Sequence, residues 1–353
     1  MALPDSSPLI TTVIPTYRRP KLLRRAIKSV LAQTYPHFQV CIYDNASGDE
    51  TEAVVREMSA EDPRIRYHRH PENIGGFKNF VYGMERVETP FFSLLSDDDV
   101  LLPEFFQKAI DGFGKHPEAM LSGLATIHMD DGGQVWSVSL HDWQEGFYAP
   151  PEGLLAMLKY RHPDWTGILF RRDVLHEVGF LDEETYEPAD LDFELRIAAR
   201  WPIVISREPG AILVLHRDSV TSSVRLDSLW PAWQKIIRNL MEDENISLDV
   251  RAHARDSLLR FFRRHYFALG GLAFVVNKDW RQAEQAAAIL RDSYHRPAQA
   301  LLLRGLSWVS RKVPPAYWLM SGLNALRKSL RSFKKPLILS RYAGYASLLD
   351  LAN

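Results

Sequence analysis

The chain has 353 residues, of which 46% are hydrophobic and 25% are charged. These proportions are typical of a globular protein that can bury a full core without disulfides or metal staples. The single cysteine, Cys41, excludes an intramolecular disulfide. At roughly 100–200 residues per domain, the length predicts two domains.

The net charge of −1 conceals a strong asymmetry between the two ends of the chain. Residues 251–353 carry 18 basic and 5 acidic residues, whereas residues 1–250 carry 25 basic and 39 acidic ones. Such asymmetry indicates an anionic partner for the basic end. The first residues lack the features of a signal peptide, and no stretch reaches the roughly 18–20 apolar residues of a membrane span. We therefore expect a chain that is soluble or lies on a surface.

Strands alternate with helices in the first half of the chain. The predicted elements are strand 9–14, helix 20–33, strand 38–43, helix 49–59, strand 64–68, helix 77–86, strand 90–95, helix 103–112 and strand 120–128. This alternation predicts a parallel, doubly wound α/β sheet, in which ligands bind beyond the carboxyl ends of the strands. From residue 229 onward the pattern predicts helices.

Three carboxylates, Asp97, Asp98 and Asp99, follow the predicted strand 90–95. Adjacent carboxylates repel one another unless a cation lies among them, and a hard divalent ion binds such groups together with phosphate oxygens. The alternative is capping of the helix that begins near Pro103, but a cap needs one aspartate. The sequence therefore predicts a metal site here.

Two further strand ends carry polar residues. Thr16 and Tyr17 follow the first strand, and Asp44 follows the second, where its carboxylate can accept hydrogen bonds from a base or a ribose hydroxyl. Lys78, after the paired glycines Gly75 and Gly76, could reach a phosphate or a base edge, although lysines are common at helix starts. These ends predict a nucleotide site.

Asp190 lies at the start of a predicted helix, where a carboxylate could take a proton from an attacking hydroxyl. The alternative is again a helix cap. His216 leaves a predicted strand at 212–215 and could either complete a metal coordination shell or form a hydrogen bond in a loop. Trp165 precedes another predicted strand.

As an ordered series, these motifs resemble the inverting glycosyltransferases of family 2, which have a GT-A fold. The resemblance covers residues 8–225 and rests on 13–18, 27–35, 44–49, 73–75, 97–103, 170–183 and 216–219. It implies a mostly parallel sheet with helices on both faces in a domain spanning 1–225. Residues 226–353 then form a basic, mostly helical C-terminal region.

The resemblance also implies site residues. Asp190 is expected to be the general base. Asp98 is expected to be the main metal ligand, together with Asp99 and His216, and the expected cofactor is Mn²⁺ or Mg²⁺. The expected nucleotide and substrate contacts are Thr16, Tyr17, Arg18, Asp44, Asn73, Lys78, Asp97 and Trp165. Two departures stand out: Ala189 occupies the place of a second acidic residue beside the base, and the metal motif can be read as Asp97 with Asp99 or as centred on Asp98.

The implied function is inverting, non-processive transfer of a sugar from a UDP-, dTDP- or GDP-linked donor to an acceptor hydroxyl of a glycan or lipid-linked glycan. The implied location is cytoplasmic, or peripheral on the inner face of the membrane. One alternative is a nucleotidyltransferase, which normally carries a glycine-rich phosphate loop after the first strand; residues 15–20 contain no glycine. The other is a catalytically silent scaffold that binds sugar nucleotides.

The C-terminal tail predicts a partner of its own. Residues 296–341 contain ten basic residues and no acidic one, interleaved with leucine and tryptophan. Basic amphipathic helices of this kind bind anionic membrane surfaces, here through residues 293–349. The alternative is a helical cap that packs on the acidic N-terminal domain. Nucleic acid is not expected, because the tail is too apolar for a phosphate-tracking arm.

Overall fold

The computed structural model describes residues 9–186, 188–216, 225–264, 275–313, 318, 321–322 and 339–352. The chain divides into two compact units: residues 1–219 with 339–353, and residues 220–338. The boundary that the sequence suggests, between 225 and 226, remains a prediction.

A ten-stranded sheet with flanking helices forms the first unit. The strands are β1 (Ile10–Thr16), β2 (Phe38–Asp44), β3 (Ile65–Arg69), β4 (Phe91–Leu94), β5 (Val100–Leu101), β6 (Leu121–Asp130), β7 (Val135–Val138), β8 (Gly146–Tyr148), β9 (Ile168–Arg171) and β10 (Ile203–Leu215). The helices are α1 (Pro20–Leu31), α2 (Thr51–Glu61), α3 (Gly76–Met84), α4 (Phe105–Lys115), α5 (Glu152–Tyr160), α6 (Val174–Glu177) and α7 (Ala189–Arg200).

The strand order is β3-β2-β1-β4-β9-β6-β10-β5, with β7 beside β6 and β8 beside β10. Strands β3, β2, β1 and β4 run parallel, and so do β6 and β10. Strand β9 lies between β4 and β6 and is antiparallel to both. The predicted α/β class with a mostly parallel sheet is confirmed, and the antiparallel β9 modifies the purely parallel arrangement that strand–helix alternation predicts.

The sequence pattern explains why β1 and α1 form and where the neighbouring strands end. All seven residues of β1 are buried, as expected for a parallel strand covered on both faces. The apolar face of α1, which Pro20 opens, is buried through Leu23, Ile27 and Val30. Thr16 and Asp44 are register partners at the ends of β1 and β2, and β4 ends beside β1. The loops after these strands therefore leave the sheet at one edge.

The second unit is helical in its described residues. Its helices are α8 (Leu226–Glu242), α9 (Leu248–Phe262), α10 (Trp280–Asp292) and α11 (Pro297–Lys312). Aromatic packing holds α8 on α9, because the ring of Phe262 lies 4.8 Å from Trp230 and 5.3 Å from Trp233. The predicted helical C-terminal region is confirmed. Among the helices described, none combines the length and apolarity needed to cross a membrane.

The last described segment, Ala343–Ala352, returns to the first unit as a 3-10 helix. It packs beside α1, and Ala346 lies against Gly133, where a Cβ would come within 2.7 Å of the Ala346 methyl. Because such a contact is shorter than side chains tolerate, Gly133 allows the close approach of the segment.

Candidate active site

Asp97 joins the ends of β1 and β4. Its Oδ2 accepts a hydrogen bond of 2.7 Å from the Thr16 hydroxyl, and its Oδ1 lies 3.2 Å from the Nη1 of Arg19. The same guanidinium nitrogen donates to Asp98 Oδ2 at 2.9 Å. One arginine thus bridges two neighbouring carboxylates directly beyond the strand ends.

The electrostatics of this pair reflect competing charges. Burial and then the charge of Asp98 raise the pKa of Asp97 to about 6, against the attraction of Arg19 and the hydrogen bond from Thr16. Burial disfavours a charged carboxylate, and a like charge beside it adds to that cost. Arg19 and Thr16 therefore do not fully offset the burial of Asp97 and the charge of Asp98.

His216 follows β10 and lies at the same cluster. Its Nε2 is 2.6 Å from Asp98 Oδ2, and both side chains are 13% exposed. Arg25 of α1 donates a hydrogen bond of 2.5 Å to the backbone carbonyl of Asp98 and so links the Asp97–Asp99 loop to α1. The structure brings together two of the three predicted metal ligands, a carboxylate and an imidazole.

Asp99, the third predicted ligand, has a different environment. It is 4% exposed, and its Oδ2 accepts a 2.8 Å bond from the Thr166 hydroxyl while its Oδ1 accepts a 2.9 Å bond from the backbone N–H of Val214. Burial, followed by the charge of Asp98, raises its pKa well above the usual range. Asp99 cross-links the Asp97–Asp99 loop to β10 and to the 3-10 turn Trp165–Gly167.

The side chains of the cluster offer some of the ligand atoms that a hard divalent cation needs. Within the described ranges, no group of three or more histidine, cysteine, aspartate or glutamate side chains is arranged to hold a metal. Asp98 and His216 supply two ligand atoms that face each other, and Mg²⁺-type ions are commonly held by one or two carboxylates plus substrate phosphates. The two residues therefore fit a divalent metal whose remaining ligands would come from a bound diphosphate.

The loop after β2 is built around Asp44. Its Oδ1 accepts from the backbone N–H of Ser47 at 2.9 Å, and its Oδ2 accepts from the Tyr67 hydroxyl at 2.7 Å. Burial and then the bond to Asp44 raise the pKa of Tyr67. Asp44 is 1% exposed, so the carboxylate predicted to meet the nucleotide base is buried between its own loop and Tyr67 of β3. Arg18 donates its backbone N–H to the Ser47 hydroxyl at 2.9 Å, which ties this loop to the end of β1.

The remaining predicted nucleotide contacts surround this edge. Asn73 Oδ1 accepts from the Asn45 amide at 2.8 Å, which links the loops after β2 and β3. Tyr17 is 37% exposed, and the Arg18 guanidinium lies 5.0 Å from its ring centre. Lys78 is 61% exposed, with its Nζ 3.7 Å from a carboxylate oxygen of Glu183.

Trp165 and Asp190 lie on elements from the second half of the unit. The Trp165 ring packs on Phe80 of α3 at 4.6 Å, and Trp165 precedes Thr166, which bonds Asp99. Asp190 occupies the first turn of α7 and is half-buried, with Oδ1 2.7 Å from the backbone N–H of Leu191. Asp190 is thus not enclosed in the core, unlike Asp192 and Glu194 of the same helix.

Two site residues escape the sequence prediction: Arg19, which bridges Asp97 and Asp98, and Thr166, which holds Asp99. Arg19 was detectable, since it lies three residues after the end of β1 and the rule for strand ends covers the whole loop. The role of Thr166 depends on contact across 67 residues of sequence, for which no local pattern exists.

A mostly parallel sheet with an acidic cluster at its carboxyl edge is the arrangement of the GT-A class of fold. Residues 11–179 match the model of glycosyl transferase family 2. Residues 11–179 of this chain therefore form a domain of glycosyltransferase family 2, and the first unit has a GT-A fold.

Curated relatives cover only part of this chain. An uncharacterized glycosyltransferase of Rickettsia bellii (strain RML369-C) is 35% identical over 262 residues, which are 70% of this chain and 36% of that protein. The GalNAc(5)-diNAcBac-PP-undecaprenol beta-1,3-glucosyltransferase of Campylobacter jejuni is 32% identical over 113 residues, 30% of this chain and 36% of that protein. The chain spans about two fifths of the length of the curated relatives it matches.

Solved structures support the fold. S. aureus TarS 1-349 in complex with UDP-GlcNAc is similar with a TM-score of 0.65 and 17% identity, over 86% of this chain and 91% of that chain. The mannosyltransferase PcManGT from Pyrobaculum calidifontis, in complex with GDP-Man and Mn²⁺, has a TM-score of 0.54 and 13% identity, over 99% of this chain and 86% of that chain. At these identities the likeness concerns the fold alone.

Proposed function

We propose that this protein is an inverting, non-processive glycosyltransferase that moves a sugar from a nucleotide diphosphate to an acceptor hydroxyl. The observation that carries the proposal is the cluster of Asp97, Asp98, Arg19 and His216 beyond the ends of β1, β4 and β10. The family and the sugar-nucleotide complexes of similar folds support the same donor class. UDP-, dTDP- and GDP-linked sugars are the donors to be tested.

Asp98 and His216 would hold a divalent ion, Mn²⁺ or Mg²⁺, which supplies Lewis-acid neutralisation of the diphosphate leaving group. Arg19 places a second positive charge beside Asp97 and Asp98. We assign Asp99 a structural part, because both of its carboxylate oxygens already accept hydrogen bonds within the fold. This assignment narrows the predicted metal ligands from three to two.

Asp190 is the proposed general base. As the acceptor oxygen attacks the anomeric carbon opposite the diphosphate, the carboxylate takes the hydroxyl proton, the new C–O bond forms and the bond to the diphosphate breaks with its electron pair. A single displacement of this kind inverts the anomeric configuration. The proposal is supported by the place of Asp190 in the first turn of α7, where the residue is only partly buried.

The donor class is tested by thermal unfolding in the presence of UDP, dTDP and GDP, each with and without Mn²⁺. Ligand that binds the folded state raises the midpoint with the logarithm of its concentration above Kd. We expect one nucleotide to raise the midpoint, and Mn²⁺ to enlarge the rise. A stabilising sugar nucleotide whose sugar label never reaches any acceptor would favour a silent scaffold, and transfer of the α-phosphate label would favour a nucleotidyltransferase.

The base is tested with Asp190→Asn against the control Asp142→Asn, whose side chain is 62% exposed in a surface pair with His141. Loss of a general base typically lowers the rate by about 10²–10⁴. We expect that fall in kcat for Asp190→Asn, with donor affinity kept within a few-fold, and no change for Asp142→Asn. Normal turnover of Asp190→Asn would remove this residue from the mechanism.

We further propose that the acceptor is a glycan carried at an anionic membrane surface, to which α11 attaches the protein. Leu301, Leu302 and Trp308 of α11 are 72%, 64% and 62% exposed. The side chains that the helix buries are mostly small: Ala300, Leu303, Ser307 and Ser310. Three of the bulky apolar residues of the helix are therefore exposed to solvent. The helix lies in a segment, between Asp292 and Asp350, that contains no acidic residue. Exposed apolar side chains with surrounding positive charge match an anionic interface.

The test is flotation of the full-length protein with vesicles of phosphatidylglycerol and phosphatidylcholine, or of phosphatidylcholine alone. We expect flotation with the anionic vesicles only, and less of it in high salt because salt screens the charges. Combined replacement of Leu301, Leu302 and Trp308 by serine should abolish flotation. Leu248→Ser is the matched control, since Leu248 of α9 is 74% exposed outside the basic tail. Equal flotation of the two variants would contradict attachment through α11.

A further inference from the structure

Four aromatic side chains form a row along the first turns of α3. The Tyr186 ring is stacked on Phe77, with 5.8 Å between the ring centres and an angle of 30° between the planes. Phe80 lies three residues after Phe77 and therefore on the same side of the helix. Trp165 packs on Phe80 at 4.6 Å. We call Tyr186, Phe77, Phe80 and Trp165 the aromatic row.

Both ends of the aromatic row belong to the candidate active site. At one end, Trp165 precedes Thr166, whose hydroxyl bonds Asp99. At the other end, Tyr186 lies four residues before Asp190, the proposed base. The row therefore extends from the turn that supports the carboxylate cluster to the loop that leads into the first turn of α7.

The aromatic row is open to solvent. Tyr186 is 54% exposed, and Phe77, Phe80 and Trp165 are half-buried. Aromatic rings are usually taken out of water, because the burial of one ring removes a large apolar area. Partly exposed rings that adjoin one another and a proposed active site therefore indicate a surface that binds a ligand.

The backbone holds Tyr186 in this position in spite of strain. Its φ is +26° and its ψ is −81°, a conformation that bulky residues rarely adopt. Strained residues persist where the surrounding structure holds them, and they cluster at sites that bind ligands. Here the ion pair of Lys78 with Glu183, at 3.7 Å, links the turn before Tyr186 to the start of α3. The loop thus keeps the Tyr186 ring on Phe77.

We propose that the Tyr186 ring, stacked on Phe77, binds a sugar ring of the acceptor. The inference rests on the proposed sugar transfer and specifies the acceptor as a glycan with a pyranose that has one face bearing only C–H bonds. These bonds carry partial positive charge, whereas the face of an aromatic ring is negative. The charged side chains of Lys78 and Glu183 beside the rings can bond the hydroxyl groups at the edge of a sugar, which a lipid chain lacks.

The first test is saturation-transfer NMR with methyl β-glucopyranoside and with chitotriose, a β-linked trimer of N-acetylglucosamine. When the aromatic protons of the protein are irradiated, stacking saturates the axial protons of one sugar face more than those of the other. We expect this pattern in the wild type and its loss in Tyr186→Ala. Binding of neither sugar, equal saturation of both faces, or an unchanged pattern in Tyr186→Ala would overturn the proposal.

Phe147→Ala is the matched control for this test. Phe147 is 37% exposed, and its ring is stacked on His116 at 4.9 Å. It lies on β8, which pairs with the first residues of β10, whereas His216 follows the last residue of that strand. We therefore expect Phe147→Ala to keep the saturation pattern of the wild type. Loss of the pattern in both variants would show that it does not report on the aromatic row, and would overturn the proposal.

A second series separates ring stacking from simple apolar contact. Tyr186→Phe keeps the ring, so the Kd for chitotriose should stay within about twofold of the wild-type value. Tyr186→Leu keeps an apolar side chain without an aromatic face and should raise that Kd by about 2–12-fold, the typical contribution of one aromatic contact. Equal Kd values for the two variants would overturn stacking on a sugar ring.

A third measurement separates the acceptor from the donor. Tyr186→Ala should keep the rise in unfolding midpoint that a sugar nucleotide produces in the wild type, because the ring is assigned to the acceptor. Loss of that rise would place Tyr186 in the donor site and overturn the assignment. If no nucleotide stabilises the wild type while methyl β-glucopyranoside still binds through Tyr186, the proposed transfer activity fails and the sugar site remains.

Discussion

Gly167 is where the 3-10 turn carrying Trp165 and Thr166 lies directly on β6, and Gly167→Ala tests that contact. A Cβ at this position would lie 2.6 Å from the carbonyl oxygen of Leu124 and 2.6 Å from the hydroxyl of Thr126. A relaxed carbon–oxygen contact is about 3.3 Å, so the turn must move by roughly 0.7 Å. Because one of the obstructing atoms is backbone, side-chain rearrangement cannot relieve the clash.

Overpacking of this kind costs about 1–3 kcal/mol, and the backbone obstacle places Gly167→Ala near the upper end. For a unit of about 150–250 residues, each kcal/mol lowers the midpoint by about 2–4 °C, so we expect a fall of about 4–12 °C by calorimetry. Displacement of the turn also lengthens the bond between Thr166 and Asp99, so transfer activity should fall with stability.

The control is the same substitution where space is open. Gly114 is exposed in α4, and nothing lies within 4 Å of a Cβ there. Alanine is favoured over glycine in a helix by about 0.5–1 kcal/mol, so Gly114→Ala should raise the midpoint. Opposite signs for the two variants would support the close contact at Gly167. A midpoint for Gly167→Ala at or above that of the wild type would refute the reasoning.

The other predictions concern Asp98, Thr166 and Cys41. Asp98→Asn should remove the Mn²⁺-dependent part of the donor-induced rise in midpoint, and a rise equal to that of the wild type would exclude Asp98 as a ligand. Thr166→Val removes a hydrogen bond to a buried carboxylate and should cost about 1.5–3 kcal/mol of unfolding free energy by urea titration. Burial raises the pKa of the Cys41 thiol to about 11, so thiol reagents should label the native protein slowly at pH 8. Because the folded thiol has the higher pKa, stability should fall as pH rises from about 9 toward 11.

Local pattern predicts the first half of the sheet closely. The sequence places strands at 9–14, 38–43 and 64–68, and the structure has Ile10–Thr16, Phe38–Asp44 and Ile65–Arg69. These strands are short apolar runs between helices with clear amphipathic faces, so each is determined by its own residues. The strand ends that the parallel arrangement predicts as a site do meet, as the bond from Thr16 to Asp97 shows.

Pairings across long stretches of sequence are not predictable in this way. Strand β9 inserts antiparallel between β4 and β6, a choice made by tertiary packing and not by its own four residues. The 3-10 segment Ala343–Ala352 joins the first unit although it follows the basic tail in sequence. The partners of Asp99, Thr166 and Val214, lie 67 and 115 residues away along the chain.

The three neighbouring carboxylates Asp97, Asp98 and Asp99 have different partners in the structure. Asp99 is 4% exposed, and both of its oxygens accept hydrogen bonds from the fold. Asp97 is balanced on one side by Thr16 and on the other by Arg19. Only Asp98 shares one oxygen between an arginine and the imidazole of His216.

The two partners of Asp98 come from different strands of the sheet. Arg19 reaches Asp98 from the loop after β1, and His216 reaches it from the end of β10, so the two donors approach one carboxylate oxygen from different strands. A cation held by Asp98 and His216 would join the loop after β4 to the end of β10. If Asp98 is the ligand, metal binding should therefore stabilise the ends of β4 and β10 together, and hydrogen exchange at those two ends should slow when Mn²⁺ and donor are added. Slowing confined to one strand end would indicate that His216 serves only as a hydrogen-bond partner in its loop.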